Sequence, residues 1–422
     1  MQLSFLGAMN SVTPSGILVD TGKTRFVLDY GADVEHMPPK PPMAVDNVDY
    51  VLLSHGHLDH CGSLPILIKK NGCPIISNNC TKELTELLLL DSVKINMMEA
   101  GDIEEAKLPF DKQDVKLTIK KFVDLKYRKH LSFKNIEVVY HDAGHIPGSA
   151  MISMKAGGKT LLYDGNFNTL DTRLLKGCDE DLPEIDYLIT ESTYAQREHP
   201  DRKTTEKGLV QLVNETISND SVALISTFAI GRAQEILLIL DSYGIDYPLY
   251  MDGMARQATT IINKHRNLLK DSKSLDKALE KVEYVAGDRM REKIVKKPCA
   301  IITTSGMLSG GTVVPYIQKL HNDRNSSLML TGFQVPNTPG HKLLQTGRFV
   351  HENIDVEVKM FVKRFDFSAH SGKKELFSFI KDVNPEKVFC VHGDDTKGFA
   401  EELKQKGFDA VAPTKDDRIF NL

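Results

Sequence analysis

The chain has 422 residues, 41% of them hydrophobic and 26% charged, with a formal net charge of −4. That length supports two ordinary domains with a sizeable core, and the composition is that of a globular protein rather than a disordered or collagenous one. The charge excludes a globally basic nucleic-acid binder, so a polyanion would have to meet a local positive groove.

The first segment reads as short strands joined by turns: Gln2–Leu6, Gly16–Asp20 and Arg25–Asp29, separated by Pro/Ser/Gly and Thr/Gly/Lys clusters. MQLSFLGAMN has no charged start followed by a long apolar stretch, so no signal peptide is expected. Tyr50–Leu53 reads as a buried strand, and Ser63–Lys70 as a helix. Thr81–Met98 reads as a longer helix with Thr81 as N-cap and Leu84, Leu87 and Leu88 on one face. Its run Leu87–Leu90 is far too short to span a bilayer. Strands are expected again at Ile136–Tyr140, Ala150–Met154, Thr160–Tyr163 and Tyr187–Thr190.

After about Ala195 strands alternate with helices. Val222–Ser226 leads to a helix at Arg232–Tyr243, Leu249–Met251 to Ala255–Leu268, and Cys299–Thr303 to Thr312–His321. Ser327–Leu330 precedes a helix near Gly340–Gln345. Such alternation implies a mostly parallel sheet covered by helices. Val356–Phe361 and Val388–Val391, with helices from Lys373 and Thr396, close the chain. The charged stretch Arg197–Lys207 is the expected domain boundary. Cys61, Cys73, Cys80, Cys178, Cys299 and Cys390 form no CxxC pair and sit beside apolar runs, as reduced core thiols of a cytosolic protein do.

The densest chemistry follows the Tyr50–Leu53 strand. His55, His57, Asp59 and His60 fall within six residues, a spacing that a tight loop at a strand end can wrap around one point. Neutral imidazoles and a carboxylate suit zinc. Further candidates end strands or sit beside Gly: Asp29, His145, Asp164, Asn166, Glu191, His370 and His392. A polar residue there is a common way to mount a site on a rigid frame. Any one of them alone could equally be structural.

Taken in order, these motifs resemble a known family. His55-x-His57-x-Asp59-His60, with Asp29, His145 and the Gly165–Asn166 turn, resembles the metallo-β-lactamase fold. Glu191-Ser192-Thr193-Tyr194, Ser368-Ala369-His370-Ser371 and Val391-His392-Gly393-Asp394 resemble the three extra motifs of its β-CASP branch, the RNA- and DNA-processing nucleases. Thr227–Glu235 and Thr303–Leu308 resemble the inserted domain of the nuclease subunit of the cleavage and polyadenylation specificity factor. The resemblance covers essentially the whole chain and points to archaeal-type homologues of that subunit and to RNase J-like ribonucleases.

The resemblance implies an α/β fold: a metallo-β-lactamase αββα sandwich (residues 1–196 and 365–422) interrupted by a β-CASP domain of mostly parallel sheet (197–364), with the active site in the cleft between them. It implies two zinc ions, one held by His55, His57 and His145 and the other by Asp59, His60 and His392. Asp29 would steady the His loop. His370 would act as general acid, oriented by Glu191. The family's Gly-Asp turn supplies a carboxylate that bridges both metals, whereas this chain has Asn166, whose amide carries no charge. Three explanations stand side by side: an inactivating substitution, a natural variant with a weakened second metal, and compensation by Asp164, which the intervening turn at Gly165 disfavours.

His392, where DNA-directed members tend to carry Val, favours single-stranded RNA as substrate. Arg232, Phe228, Ser305, Gly332, Gln334 and Ser368 are candidate RNA contacts, although an interface salt bridge accounts for Arg232 equally well and a core role is the commoner one for a Phe such as Phe228. Lys373 and Lys374 read as solvated. The chain is expected to lack the N-terminal RNA-binding modules of longer archaeal relatives and the C-terminal domain of RNase J. The expectation is a cytoplasmic, metal-dependent ribonuclease of endonucleolytic or 5′-to-3′ exonucleolytic mode. Relatives suggest a homodimer, or a partnership with a paralogous nuclease. The alternative is a catalytically inactive RNA-binding scaffold subunit.

Overall fold

The computed structural model describes residues 1–34, 36, 38–100, 103, 107–134 and 136–422. The chain divides into two compact units, the first made of 1–171, 177–198 and 370–422, the second of 172–176 and 199–369.

The first unit begins with β1 (Gln2–Phe5), β2 (Gly16–Asp20), β3 (Arg25–Tyr30) and β4 (Tyr50–Leu52), followed by α1 (Leu58–Cys61), α2 (Leu64–Asn71), β5 (Ile75–Ser77), α3 (Asn79–Ala100), α4 (Lys112–Ile119) and β6 (Phe122–Asp124). A second run supplies β7 (His130–Phe133), β8 (Ile136–Asp142), β9 (Ala150–Ala156), β10 (Lys159–Tyr163) and β11 (Tyr187–Glu191). The second unit holds α5 (Arg202–Ser218), β12 (Val222–Ser226), α6 (Arg232–Ser242), β13 (Leu249–Met251), α7 (Met254–Lys264), α8 (Ser272–Leu279), β14 (Val282–Tyr284), α9 (Asp288–Ile294), β15 (Cys299–Thr303), α10 (Val313–Leu320), β16 (Ser327–Leu330), α11 (Pro339–Thr346), β17 (Arg348–His351), β18 (Ile354–Glu357) and β19 (Phe361–Arg364). The chain then returns to the first unit with α12 (Lys373–Val383), β20 (Lys387–Val391), α13 (Thr396–Gln405), β21 (Ala410–Val411) and β22 (Ile419–Asn421).

The first unit is an αββα sandwich. One seven-stranded sheet runs β22-β1-β2-β3-β4-β5-β6, the other β21-β20-β11-β10-β9-β8-β7. Their inner faces share one core: Leu3, Phe5, Phe26 and Leu28 from the first sheet meet Val138, Tyr140, Ile152 and Phe389 from the second, all fully buried. Outside, α2 packs Leu64, Leu67 and Ile68 on the first sheet, and α12 and α13 pack Leu376, Ile380, Phe399 and Leu403 on the second. Burying a Leu or Phe side chain is worth about 1.5–3 kcal/mol, so these two-faced strands read as nearly continuous apolar runs.

The second unit is a six-stranded sheet, β14-β13-β15-β12-β16-β19, parallel throughout, beside a β17–β18 hairpin. Its C-terminal strand ends therefore line one edge. All six cysteines are free and buried.

Some sequence expectations need correction. Val356–Phe361 is not one strand: β18 ends at Glu357, and β19 begins at Phe361 in a different sheet. Thr81 is not an N-cap, because α3 already begins at Asn79 and the Thr81 hydroxyl donates to the Gly148 carbonyl at 2.7 Å. The α3 face turned inward is Leu84 and Leu89, with Leu87 and Leu88 half-buried. The helix expected at Ala255–Leu268 ends at Lys264 and gives way to a 3-10 turn at Arg266–Leu268.

Candidate metal centre

The candidate ligands converge on one rim of the sandwich because they follow strands that end there. His55, His57, Asp59 and His60 follow β4, His392 follows β20, and His145 lies in the β8–β9 loop. His55, His57 and His145 form one group, and Asp59, His60 and His392 a second, with all ligand atoms of each within 4.8 Å of one another. In the first group His57 Nδ1 lies 3.1 Å from His55 Nε2 and 3.2 Å from His145 Nε2. In the second, His392 Nε2 lies 3.2 Å from both His60 Nε2 and Asp59 Oδ2, which are 3.4 Å apart. Donors bound at about 2.0–2.2 Å around a tetrahedral ion lie about 3.3–3.6 Å from each other. The second triplet therefore has nearly the spacing of three corners around a zinc-sized cation, and the two pairs through His57 in the first lie close to it.

Hydrogen bonds behind the rings fix which nitrogen faces inward. Asp29, fully buried, is the hub. Its Oδ1 accepts the Ser54 N–H at 2.7 Å, while Oδ2 accepts from Ser54 Oγ at 2.6 Å, His60 Nδ1 at 2.6 Å and Tyr163 Oη at 2.7 Å. Ser54 Oγ donates its hydrogen to Asp29 and so accepts from His55 Nδ1 at 3.0 Å. Likewise Thr193 Oγ1 donates to the His392 carbonyl and accepts from His392 Nδ1 at 3.1 Å. His55, His60 and His392 thus each present a bare Nε2 to the centre. Such outer partners orient a ligand and raise its basicity. Ser54, Tyr163 and Thr193 were not singled out from sequence; the one available signal was Thr193's place in the Glu191 motif.

The electrostatics suit the same purpose. Burial, reinforced by the His60, His57 and His145 rings, holds the His55 imidazole well below its usual range. Burial also lowers His57, to about 4, against the opposing charge of Asp59. Both are therefore neutral at pH 7, as ligands must be. Burial disfavours the Asp59 carboxylate, but the His60 and His392 rings outweigh it and hold the group ionised.

The His145 loop is clamped from several sides. The His145 and Ile146 N–H groups each donate to Ser149 Oγ at 3.2 Å, and the Asp142 N–H donates to Asp179 Oδ2 at 3.0 Å. Gly144 has φ +66°, and a Cβ there would lie 2.6 Å from the Asn168 carbonyl oxygen, so only glycine fits. Burial pushes the Asp142 carboxyl up to about 7, although the Gly144 N–H bond opposes it. The folded form then binds the extra proton between about pH 4 and 7, so ionisation costs stability as pH rises through that window. Asp142→Asn is expected to leave thermal stability unchanged near pH 4 and raise it above pH 7, as read by melting curves across that range.

His370 precedes α12 and is joined to Glu191, whose Oε1 and Oε2 both lie 2.8 Å from His370 Nδ1. Glu191 is fully buried. Burial alone would raise its carboxyl, but the His370 charge and hydrogen bond outweigh that and hold it below the usual range. The ring of His370 sits 4.5 Å from that of His145.

Asn166 is 2% exposed, with Nδ2 3.5 Å from His55 Nε2 and an amide oxygen that is buried without a protein partner. That orphaned acceptor is what a bound cation would satisfy. Asp164 faces elsewhere: its Oδ1 accepts the Glu191 N–H at 3.0 Å, and it belongs to neither ligand group among the described residues. Burial holds its carboxyl well above the usual range, so it does not replace the missing charge.

The candidate RNA contacts lie in the second unit. Phe228, Ser305, Gly332 and Gln334 cluster at the C-terminal edge of its sheet. A Cβ on Gly306 or Gly332 would come within 3.1 or 2.7 Å of the Phe228 ring, so that ring packs on backbone. Gln334 Nε2 donates to the Gly306 carbonyl at 2.8 Å, and Ser305 Oγ to that of Gly310 at 3.3 Å. Arg232, 9% exposed, donates to the Thr331 carbonyl at 2.6 Å. The Ser368 N–H donates to Asp366.

A metallo-beta-lactamase superfamily domain model matches residues 11–190, a Beta-Casp domain model 233–343, and a Zn-dependent metallo-hydrolase RNA specificity domain model 355–413. The probable RNase MJ4 of Methanocaldococcus jannaschii is 37% identical over 99% of this chain and all of its own length. The chain belongs to the β-CASP ribonuclease family of the metallo-β-lactamase superfamily. RNase aCSPSF2 of Saccharolobus solfataricus is 32% identical over 99% of the chain and 85% of its own length. The transcription termination factor FttA of M. jannaschii is 30% identical over 96% of the chain and 69% of its own. A crystal structure of a protein of unknown function from Enterococcus faecalis V583 shares the fold over the whole chain and 99% of its own, with a TM-score of 0.60 at 13% identity. The relatives are named as ribonucleases and as a transcription termination factor, and the metallo-β-lactamase superfamily is one of metal-dependent hydrolases. No helix among the described residues is long and apolar enough to cross a membrane.

Proposed function

We propose that this chain is a cytoplasmic zinc-dependent phosphodiesterase that cuts single-stranded RNA, as an endonuclease or a 5′-to-3′ exonuclease, in RNA processing or decay. The observation that carries the reading is the pair of ligand triplets, with His370 beside them on its Glu191 anchor. His55, His57 and His145 would hold one zinc, and Asp59, His60 and His392 the other, with the unpartnered Asn166 amide oxygen a further donor. Two such ions, when bound, would supply Lewis acidity toward a phosphate and would lower the pKa of a water for attack at neutral pH. The protein's own part is to hold and move protons. Glu191 keeps His370 Nδ1 protonated and leaves Nε2 to deliver a proton to the departing ribose oxygen. Asp29, Ser54 and Thr193 keep the ligand nitrogens aimed, so little reorganisation is needed during the reaction. Within the second unit, Phe228, Ser305, Gly332 and Ser368 are the proposed RNA contacts, whereas the Gln334 and Arg232 side chains are committed to neighbouring carbonyls.

Protein purified without chelator is expected to carry zinc, measured by elemental analysis; zinc-free protein would overturn the reading. Thr193→Val and Tyr163→Phe are expected to weaken zinc at the Asp59–His60–His392 group roughly 10–100-fold. A competing metal dye would read that loss while the His55–His57–His145 group stays tight.

A second reading is favoured by Asn166: a chain that binds RNA without cutting it, as a scaffold for a paralogous nuclease or in a homodimer. Tight RNA binding with no cleavage, even after Asn166→Asp, would select it.

A further inference from the structure

We infer that the outer corner of the second unit's sheet is a further contact surface for single-stranded RNA, built from Tyr284, Arg256, Arg289 and Lys293. The inference rests on the reading of this chain as an RNA hydrolase. Open α/β sheets take their ligands beyond the carboxyl ends of their strands. The loops of β12, β15 and β16 already gather there, and β14 is the outermost strand on that side. Its last residue, Tyr284, is 36% exposed. Arg256, from the first turn of α7, caps the ring with its guanidinium carbon 5.5 Å from the centroid. A hydrogen bond from Arg256 Nη1 to the Val285 carbonyl holds it in place.

Four residues past Tyr284, α9 begins at Asp288. Arg289 and Lys293 are one helical turn apart on its exposed face. Lys296 and Lys297, also exposed, continue the charge beyond the helix. Residues 287–298 carry five basic and two acidic side chains. Both acids are engaged, Asp288 with Arg291 at 2.6 Å and Glu292 with Lys319 at 3.6 Å. Arg289 and Lys293 face no carboxylate within salt-bridge distance among the described residues. On a chain of net charge −4 this is a local positive strip. A solvated helix would explain the charges alone. It does not explain a half-open tyrosine capped by an arginine four residues before the strip's helix begins. A ring capped by one guanidinium and followed in the chain by an exposed basic segment suits stacking on a base while the cations take neighbouring phosphates. An acidic peptide would use the charges and leave the ring without a partner, which favours single-stranded nucleic acid.

The test is fluorescence anisotropy without added metal, using a single-stranded RNA of about 20 nucleotides and one of about 5, which spans a single site. Tyr284→Ala and the double variant Arg289→Glu/Lys293→Glu are each expected to bind the long RNA about fivefold or more weakly and the short one as before. Tyr284→Phe should restore binding. The double variant should also flatten the salt dependence, by about 0.7 in log–log slope for each phosphate that is no longer neutralised. Lys381→Glu/Lys397→Glu, an equal charge change in the first unit, should have little effect. Undiminished binding by both test variants overturns the inference, as does an equal loss in the control pair. Wild-type capture of polyglutamate as tightly as RNA also overturns it, because the strip would then belong to an acidic protein partner. If the wild type binds neither RNA, the ribonuclease reading itself fails.

Discussion

Replacing His370 by Ala is expected to lower RNA hydrolysis by about 10²–10⁴-fold while the zinc content stays that of the wild type. The expectation follows from where the ring is held. Both Glu191 oxygens reach its Nδ1 at 2.8 Å, so that nitrogen is committed to the anchor and Nε2 is the atom available to a leaving group. His370 belongs to neither ligand triplet, so its removal should leave the metal sites filled. Glu191→Gln is the finer probe. The amide can still accept from Nδ1 but gives up the charge that favours imidazolium, so a smaller loss with a shifted pH profile is expected. Glu191→Ala would be a poorer choice, because Glu191 Oε1 also accepts the Phe167 N–H at 3.1 Å and so braces the turn carrying Asn166. Loss of zinc together with activity in His370→Ala would mean that the ring acts through the metals rather than on the leaving oxygen.

Asn166→Asp is expected to tighten the second zinc by about tenfold or more and to raise the cleavage rate with it. An amide oxygen is a neutral donor, whereas a carboxylate at 166 would add a charge beside the ligand groups. The same change should destabilise the metal-free protein. Asn166 is 2% exposed with its oxygen unpartnered, and a bare carboxylate in that place carries the desolvation penalty of a buried charge, about 1–3 kcal/mol or more. Melting curves should therefore cross: the Asp variant less stable than the wild type in chelator, and more stable in zinc. Equal zinc affinity in the two forms would mean that position 166 does not face the metals.

The ligand loop was legible in the sequence because its chemistry is local: His55, His57, Asp59 and His60 announce themselves within six residues. Of the partners that aim those rings, Asp29 followed from the family resemblance, but Ser54, Tyr163 and Thr193 did not: they reach the ligand loop only through the fold, and a serine or tyrosine in an apolar strand looks like any other. In the second unit α5 went unread. Its buried Leu209, Val210 and Val213 come late, after a charged start that resembled a linker. The excursion of residues 172–176 into that unit is equally silent in sequence. Glu235 accepts the Arg173 and Leu174 N–H groups at 2.9 and 2.7 Å, and two backbone bonds leave no pattern in the residues they fix. Gln334 and Arg232 looked like ligand-facing residues beside glycines, yet their side chains hydrogen-bond neighbouring carbonyls. A polar residue after a strand can close a loop as readily as serve a ligand.

The most direct test is cleavage of a 5′-labelled single-stranded RNA by the chain in zinc, beside chelator-treated protein and the His57→Ala and Asn166→Asp variants. The account predicts products carrying a 5′ phosphate, a faster reaction with Asp at 166, and none after chelation or loss of His57. Cleavage that survives both chelation and His57→Ala, or no cleavage by either the chain or its Asn166→Asp form, would contradict it.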